Sequence, residues 1–171
     1  MAAPDEELDD VFQTCGRLRG EVLTDETAIA LDQAIRFARE TRWDSVRSPH
    51  VFMGLLSAPD ACVQNWGRRL RADLAKLLEQ FQELFHQDEG DSEPTLLLNR
   101  EFLSDNVIRL LRDSFHRAVD HRRRQITPMD ILISLLTATN SIVAECFERI
   151  GVTAAKLTEL AVIAEQQPEK S

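Results

Sequence analysis

The chain has 171 residues, 43% hydrophobic and 29% charged, with only six glycines and six prolines. That composition fits one globular domain, or two small ones, and excludes a fibrous or disordered chain. No apolar run approaches the ~20 residues of a membrane helix, and the first ten residues lack the basic start and apolar core of a signal peptide, so neither membrane insertion nor secretion is expected.

The net charge of −9 is concentrated in two places. Asp5, Glu6, Glu7, Asp9 and Asp10 form an acidic start, and Asp88, Glu89, Asp91 and Glu93 an acidic middle stretch; outside them acids and bases balance. Both read as solvated segments. A nucleic-acid binder concentrates positive charge instead, and the one basic cluster, His121-Arg122-Arg123-Arg124, is short and follows Asp120.

Taken in chain order, a helix is expected near residues 6–18, with Leu8, Val11, Phe12 and Cys15 on one side. Thr24 then offers a hydroxyl cap to a helix striped by Ala28, Leu31, Ile35 and Ala38. Ser48-Pro49 opens a second helix, apolar over much of its surface through Val51, Phe52, Leu55 and Leu56, because proline lacks an N–H where none would be paired. A third carries Val63, Trp66 and Leu70, and a fourth starts at Asp73 and runs through Leu77, Phe81 and Phe85.

The same order then repeats. Shifting the chain by 80 residues aligns 23–77 with 103–157 without a gap, with 13 identities, among them Leu23, Asp25, Leu31, Leu55, Leu56 and Lys76 with their partners. Ser104 caps a helix striped by Ile108, Leu111, Phe115 and Ala118. Thr127-Pro128 opens the next, with Ile131, Leu132, Leu135 and Leu136, then Val143, Cys146 and Phe147, and a last helix from Thr153. No strand-like alternation competes. The expected fold is all-α: an extension (1–22), one four-helix repeat (23–85), an acidic linker (86–102), a second, pseudo-symmetric four-helix repeat (103–164) and a short tail (165–171).

Chemistry-bearing residues are sparse. Cys15, Cys62 and Cys146 are odd in number and far apart, with no C-x-x-C, so neither a disulfide framework nor a zinc site is indicated, and a reducing cytoplasm suits them. Cys62 aligns with Ile142, a packing position. His116 and Asp120 share a helix face, but two ligands without a third make no metal site. No Ser/His/Asp or Cys/His constellation is brought together, so no catalytic residue, cofactor or metal is expected. Trp66 is expected in the core, and Trp43, between Arg42 and Asp44, in a turn where it stands exposed or half-buried.

The doubled unit, with Val46-Arg47-Ser48-Pro49-His50-Val51-Phe52-Met53-Gly54-Leu55-Leu56 in one copy and Ile126-Thr127-Pro128-Met129-Asp130-Ile131-Leu132-Ile133-Ser134-Leu135-Leu136 in the other, resembles the Clp amino-terminal (Clp repeat) domain family over about residues 23–163. The resemblance implies two pseudo-symmetric four-helix bundles and a non-enzymatic module that docks substrate proteins, peptides or adaptors for an AAA+ unfoldase. No G-x-x-x-x-G-K-[ST] occurs, so a stand-alone member or the docking part of a larger machine is expected. Some relatives use a glutamate before the motif histidine to hold phosphoarginine; Pro49 and Met129 stand there, and neither can accept a guanidinium hydrogen bond. Pseudo-symmetry puts the expected protein-binding surface beside Leu23, Thr24, Pro49, His50, Leu103, Ser104, Met129 and Asp130, the starts of the first and second helices, where free N–H groups would favour acidic ligands. The alternative is a histone-like nucleic-acid-binding or dimerising helical protein, suggested by Arg122 to Ile131; the acidic balance and the missing basic run in the first copy oppose it.

Overall fold

The hydroxyl of Thr24 accepts from the Thr27 N–H at 3.2 Å, and that of Ser104 from the Val107 N–H at 3.3 Å, so both repeats begin with the cap their sequences foretell. A computed structural model describes residues 10–88 and 96–167. Its helices are α1 (Asp25–Glu40), α2 (Ser48–Ser57), α3 (Ala61–Leu70) and α4 (Leu74–Phe85), then α5 (Asp105–Asp120), α6 (Pro128–Thr137), α7 (Ile142–Glu148) and α8 (Ala154–Gln166). One turn of 3-10 helix precedes each half, at Gly20–Val22 and Arg100–Phe102, and the described residues form no strand beyond isolated bridges.

Two of those bridges define how the halves meet. Leu23 pairs in parallel with Ile126, and Leu103 with Val46. Ile126 N–H donates to the Val22 carbonyl at 2.7 Å, and Val46 N–H to the Phe102 carbonyl at 2.8 Å. Thr24 N–H returns a bond to Ile126 at 3.2 Å and Ser104 N–H to Val46 at 3.0 Å. Each half thus lends the segment before its first helix to the segment before the other's second helix, a reciprocal exchange of the kind a twofold axis produces.

The halves share one core. α2 packs on α6 at the centre, and α3 lies along α8 of the other half. Phe52 packs edge-on against Trp66 (6.2 Å between centroids), Phe81 (4.9 Å) and Phe147 (6.0 Å), drawing rings from both copies. The Trp66 indole N–H donates to the Leu157 carbonyl at 3.1 Å, satisfying the one polar atom of a fully buried ring. Trp66 is therefore core, as its spacing predicts.

Three local expectations are corrected. Residues 10–18 are a turn and not a helix: Gly16 takes φ +96°, where a side chain is disfavoured, and Gln13 N–H bonds the Arg17 carbonyl at 2.8 Å, folding the chain back on itself. Residues 6–9 of that expected helix lie outside the described residues. Val11, Phe12 and Leu18 are still buried, so the apolar pattern marked contact with the core but not helical period. The second correction concerns α2, whose cap is Arg47 and not Ser48, with Pro49 at its second position. Thr127-Pro128 opens α6 as expected. The third is the segment 96–102, which is no loose linker: Leu96 is buried, Leu98 accepts from Leu18 N–H at 2.9 Å, and Phe102 takes part in the exchange above.

Candidate functional site

The same four positions of the fold carry different chemistry in the two halves. In the first they are Phe37, Trp43, His50 and Phe85; in the second, Arg117, Arg123, Asp130 and Glu165. His50 and Asp130 do the same backbone work. The His50 Nδ1 accepts from the Arg47 N–H at 2.9 Å, and the Asp130 Oδ2 from the Thr127 N–H at 2.9 Å, each closing the start of its helix.

Their surroundings then diverge. With Nδ1 accepting, the His50 Nε2–H faces the Thr41 hydroxyl at 3.0 Å, and that hydroxyl donates to the Phe37 carbonyl at 2.6 Å. Both nitrogens are used by a neutral ring. Trp43 meets the ring edge-on at 5.6 Å and anchors its own indole N–H on the Phe85 carbonyl at 2.6 Å. Burial, reinforced by the Arg47 charge, pushes the His50 pKa down to about 4.

Asp130 is equally buried, and burial alone would raise its pKa; hydrogen bonds from Arg123, from the Thr127 N–H and from Arg117 outweigh that and hold it below the usual carboxylate range. Arg117 reaches Asp130 at 2.7 Å and Glu165 at 2.8 Å, and Arg123 reaches Asp130 at 2.5 Å. Two guanidinium groups and two carboxylates make a neutral network.

Beside these clusters runs a groove of about 1050 Å³ between the halves. Trp43, Arg47, Pro49 and His50 form one wall, α5 from Ser104 to Asp120 another, and the end of α6 with the 137–142 turn the third. Its apolar lining includes Leu110, Ile133, Leu135 and Ile142, the last 41% exposed.

Small side chains account for which half holds the groove. In the first half Gly54 faces Ala30 and Ala34, and a Cβ on it would overlap the Ala30 carbonyl, so α1 lies close along α2. The equivalent positions are Ser134, Leu110 and Ser114; larger residues hold α5 farther from α6, and Leu110 and Ser134 line the opening.

Of the expected binding residues, Pro49, His50 and Ser104 line this groove. Leu23 and Leu103 are buried in the cross-half pairing, Met129 is buried in the core, Asp130 is buried in the ion network, and Thr24 is occupied in capping α1. Some of the N–H groups expected to attract acids are already bonded: Thr24, Ser104 and Thr127 each take one from their own helix start, and Asp130 and the His50 ring take those of Thr127 and Arg47. The α5 face and the 137–142 turn fall outside the expected surface, although His116 and Asp120 already share a helix face in the sequence and the contrast of Gly54 with Ser134 is a readable signal.

Burial raises the pKa of the Cys62 and Cys146 thiols, away from nucleophilic character. Among the described residues no group of three or more His, Cys, Asp or Glu could hold a metal.

The all-helical fold, a four-helix unit present twice, matches that of solved Clp and Hsp104 amino-terminal domains. No protein-family model and no curated protein matches the sequence, so the likeness is one of three-dimensional structure. The N-terminal domain of the caseinolytic protease associated chaperone ClpD from Arabidopsis thaliana is similar at 17% identity and TM-score 0.63, covering 85% of this chain and 96% of its own. The Hsp104 N-terminal domain from Candida albicans is similar at 12% identity and TM-score 0.64, covering 86% and 93%. The N-domain of ClpV from Vibrio cholerae is similar at 16% identity and TM-score 0.62 (88% and 89%), and a ClpV N-domain in complex with a VipB peptide at 18% identity and TM-score 0.60 (88% and 91%).

Proposed function

We propose that this chain is a non-enzymatic protein-docking module whose inter-half groove takes up a segment of a substrate or adaptor protein, in connection with a Clp-type AAA+ unfoldase in the cytoplasm. The groove carries the reading: an open trough walled by both halves, with apolar side chains such as Leu110, Ile133 and Ile142 set among polar and charged ones. A similar fold solved with a peptide supports it. Ser104 would contact the segment, while Leu23, Thr24, Pro49, His50, Leu103, Met129 and Asp130 hold the walls in place. Nucleic acid is the weaker alternative, because Arg123 of the basic cluster is neutralised by Asp130 and the chain is acidic.

A synthetic library of peptides of about 15 residues, screened by the emission of Trp43 in the groove wall, tests the proposal. Binders are expected that Ile142→Glu, in the groove, abolishes and that Ile150→Glu, exposed and outside its lining, leaves intact. No binder at high micromolar concentration, or equal loss in both variants, would overturn it.

A further inference from the structure

The face that α5 turns to the groove is a regular charged stripe. Asp105, Arg109, Asp113, His116 and Asp120 all line it, at helical spacings of four, four, three and four. The remaining charges of the lining are mostly cancelled within the protein. Arg117 is bound to Asp130 and Glu165, and Glu145 pairs with Arg149 at 3.4 Å. Arg47 lies over the Trp43 ring at 4.9 Å. Asp105, Asp113 and Asp120 have no ion-pair partner among the described residues, so three open carboxylates stand against Arg109 and Arg47.

From this geometry, resting on the docking role proposed above, we infer that the groove selects peptide segments that are cationic as well as apolar, with two basic side chains flanking an apolar anchor. Asp105 and Asp113 lie ~12 Å apart along the α5 axis, and Asp113 and Asp120 ~10 Å. Two lysines or arginines at that separation meet two carboxylates at once, while the residues between them reach Leu110, Ile133 and Ile142. Carboxylates fixed on a rigid helix beside an apolar floor concentrate their field in the trough.

The stripe is not a by-product of the repeat. The equivalent face of α1 carries Asp25, Ile29, Gln33, Arg36 and Glu40, replacing the central Arg109 and Asp113 by uncharged residues, and its Arg36 and Glu40 lie 3.6 Å apart as an ion pair. The open half therefore bears three unpaired acids on this face against Asp25 in the other, and one segment is taken up per chain.

Three helix-forming peptides sharing one apolar frame test this, with lysine, glutamine or glutamate at two positions seven apart, ~10 Å along a helix, bound to the whole chain and followed by Trp43 emission and calorimetry. At ~0.1 M salt the lysine peptide is expected to bind about tenfold tighter than the glutamine one, and the glutamate one weaker still. Near 0.5 M salt the gap narrows. The double variant Asp113→Asn/Asp120→Asn, changing two exposed side chains, removes most of the gap between the lysine and glutamine peptides. Equal or tighter binding of the glutamine or glutamate peptide, or a gap that survives the double variant, overturns the inference but leaves the docking role standing. Binding of none of the three, by a chain that also finds no binder in the library, removes both.

Discussion

Gly54 rests so closely on Ala30 that a single added carbon would overlap the Ala30 carbonyl oxygen, whereas Ser134, its counterpart, looks into an open groove past Leu110. One hydrogen in place of a side chain thus keeps the first half shut. Interiors pack too densely to absorb an extra atom without a shift of the helix.

Gly54→Ser, which copies the second half into the first, should therefore cost about 2 kcal/mol or more, since α1 must leave α2. The reverse change, Ser134→Gly, meets no such clash and costs about 1 kcal/mol, mostly through the backbone freedom of glycine in a helix. Urea midpoints of the two variants check the contrast; equal losses would contradict it.

The buried, neutral His50 makes stability depend on pH. Its pKa falls from 6.5 to about 4 on folding. Between those values the unfolded chain binds the proton and the folded chain does not. The contribution is complete above about pH 6.5 and is lost as pH drops toward 4, by roughly 3 kcal/mol in all. His50→Gln should show a flatter stability profile than the parent from pH 6.5 to 4.5, measured by urea unfolding. Parallel profiles would show that the ring is not held neutral.

Asp130→Asn leaves Arg123 and Arg117 short of a carboxylate in a buried network. A loss of about 3 kcal/mol is expected, larger than for an exposed pair such as Arg149 and Glu145, whose removal should cost under about 1 kcal/mol. Thermal unfolding of Asp130→Asn beside Glu145→Gln provides the comparison.

Because Phe52, Trp66, Phe81 and Phe147 interlock across the halves, the chain should unfold in one transition. Both tryptophans lie in the first half and Trp66 bonds Leu157 of the second, so their emission reports the first half and its seam, while circular dichroism sees all helices. Coincident denaturant curves are expected. A second step visible only by dichroism would mean that the halves fold separately.

The duplicated stripes of Leu31 and Leu111, and the caps Thr24 and Ser104, make the helices and their repetition legible in the amino-acid order, because period and capping act within a few residues. The reciprocal bridges of Leu23 with Ile126 and Leu103 with Val46 are not legible there, since backbone pairing between distant segments leaves no mark on either. Val11 and Phe12 mislead through the same limit: a short apolar cluster shows burial without showing the backbone path, and Gly16 redirects it. The candidate site is half legible. Pro49, His50 and Ser104 line the groove, but the helix starts singled out as ligand sites are partly capped by their own side chains, and the groove depends on the spacing between α5 and α6 that only packing sets.

The most direct test of docking in the groove is a map of backbone amide shifts in the whole, isotope-labelled chain titrated with the tightest peptide of the library. The perturbed amides should cluster in Trp43 to His50, Ser104 to Asp120 and Thr137 to Ile142, and saturate at one peptide per chain. Shifts centred on the α1 face around Ile29, or spread equally over both halves at two peptides per chain, would contradict it.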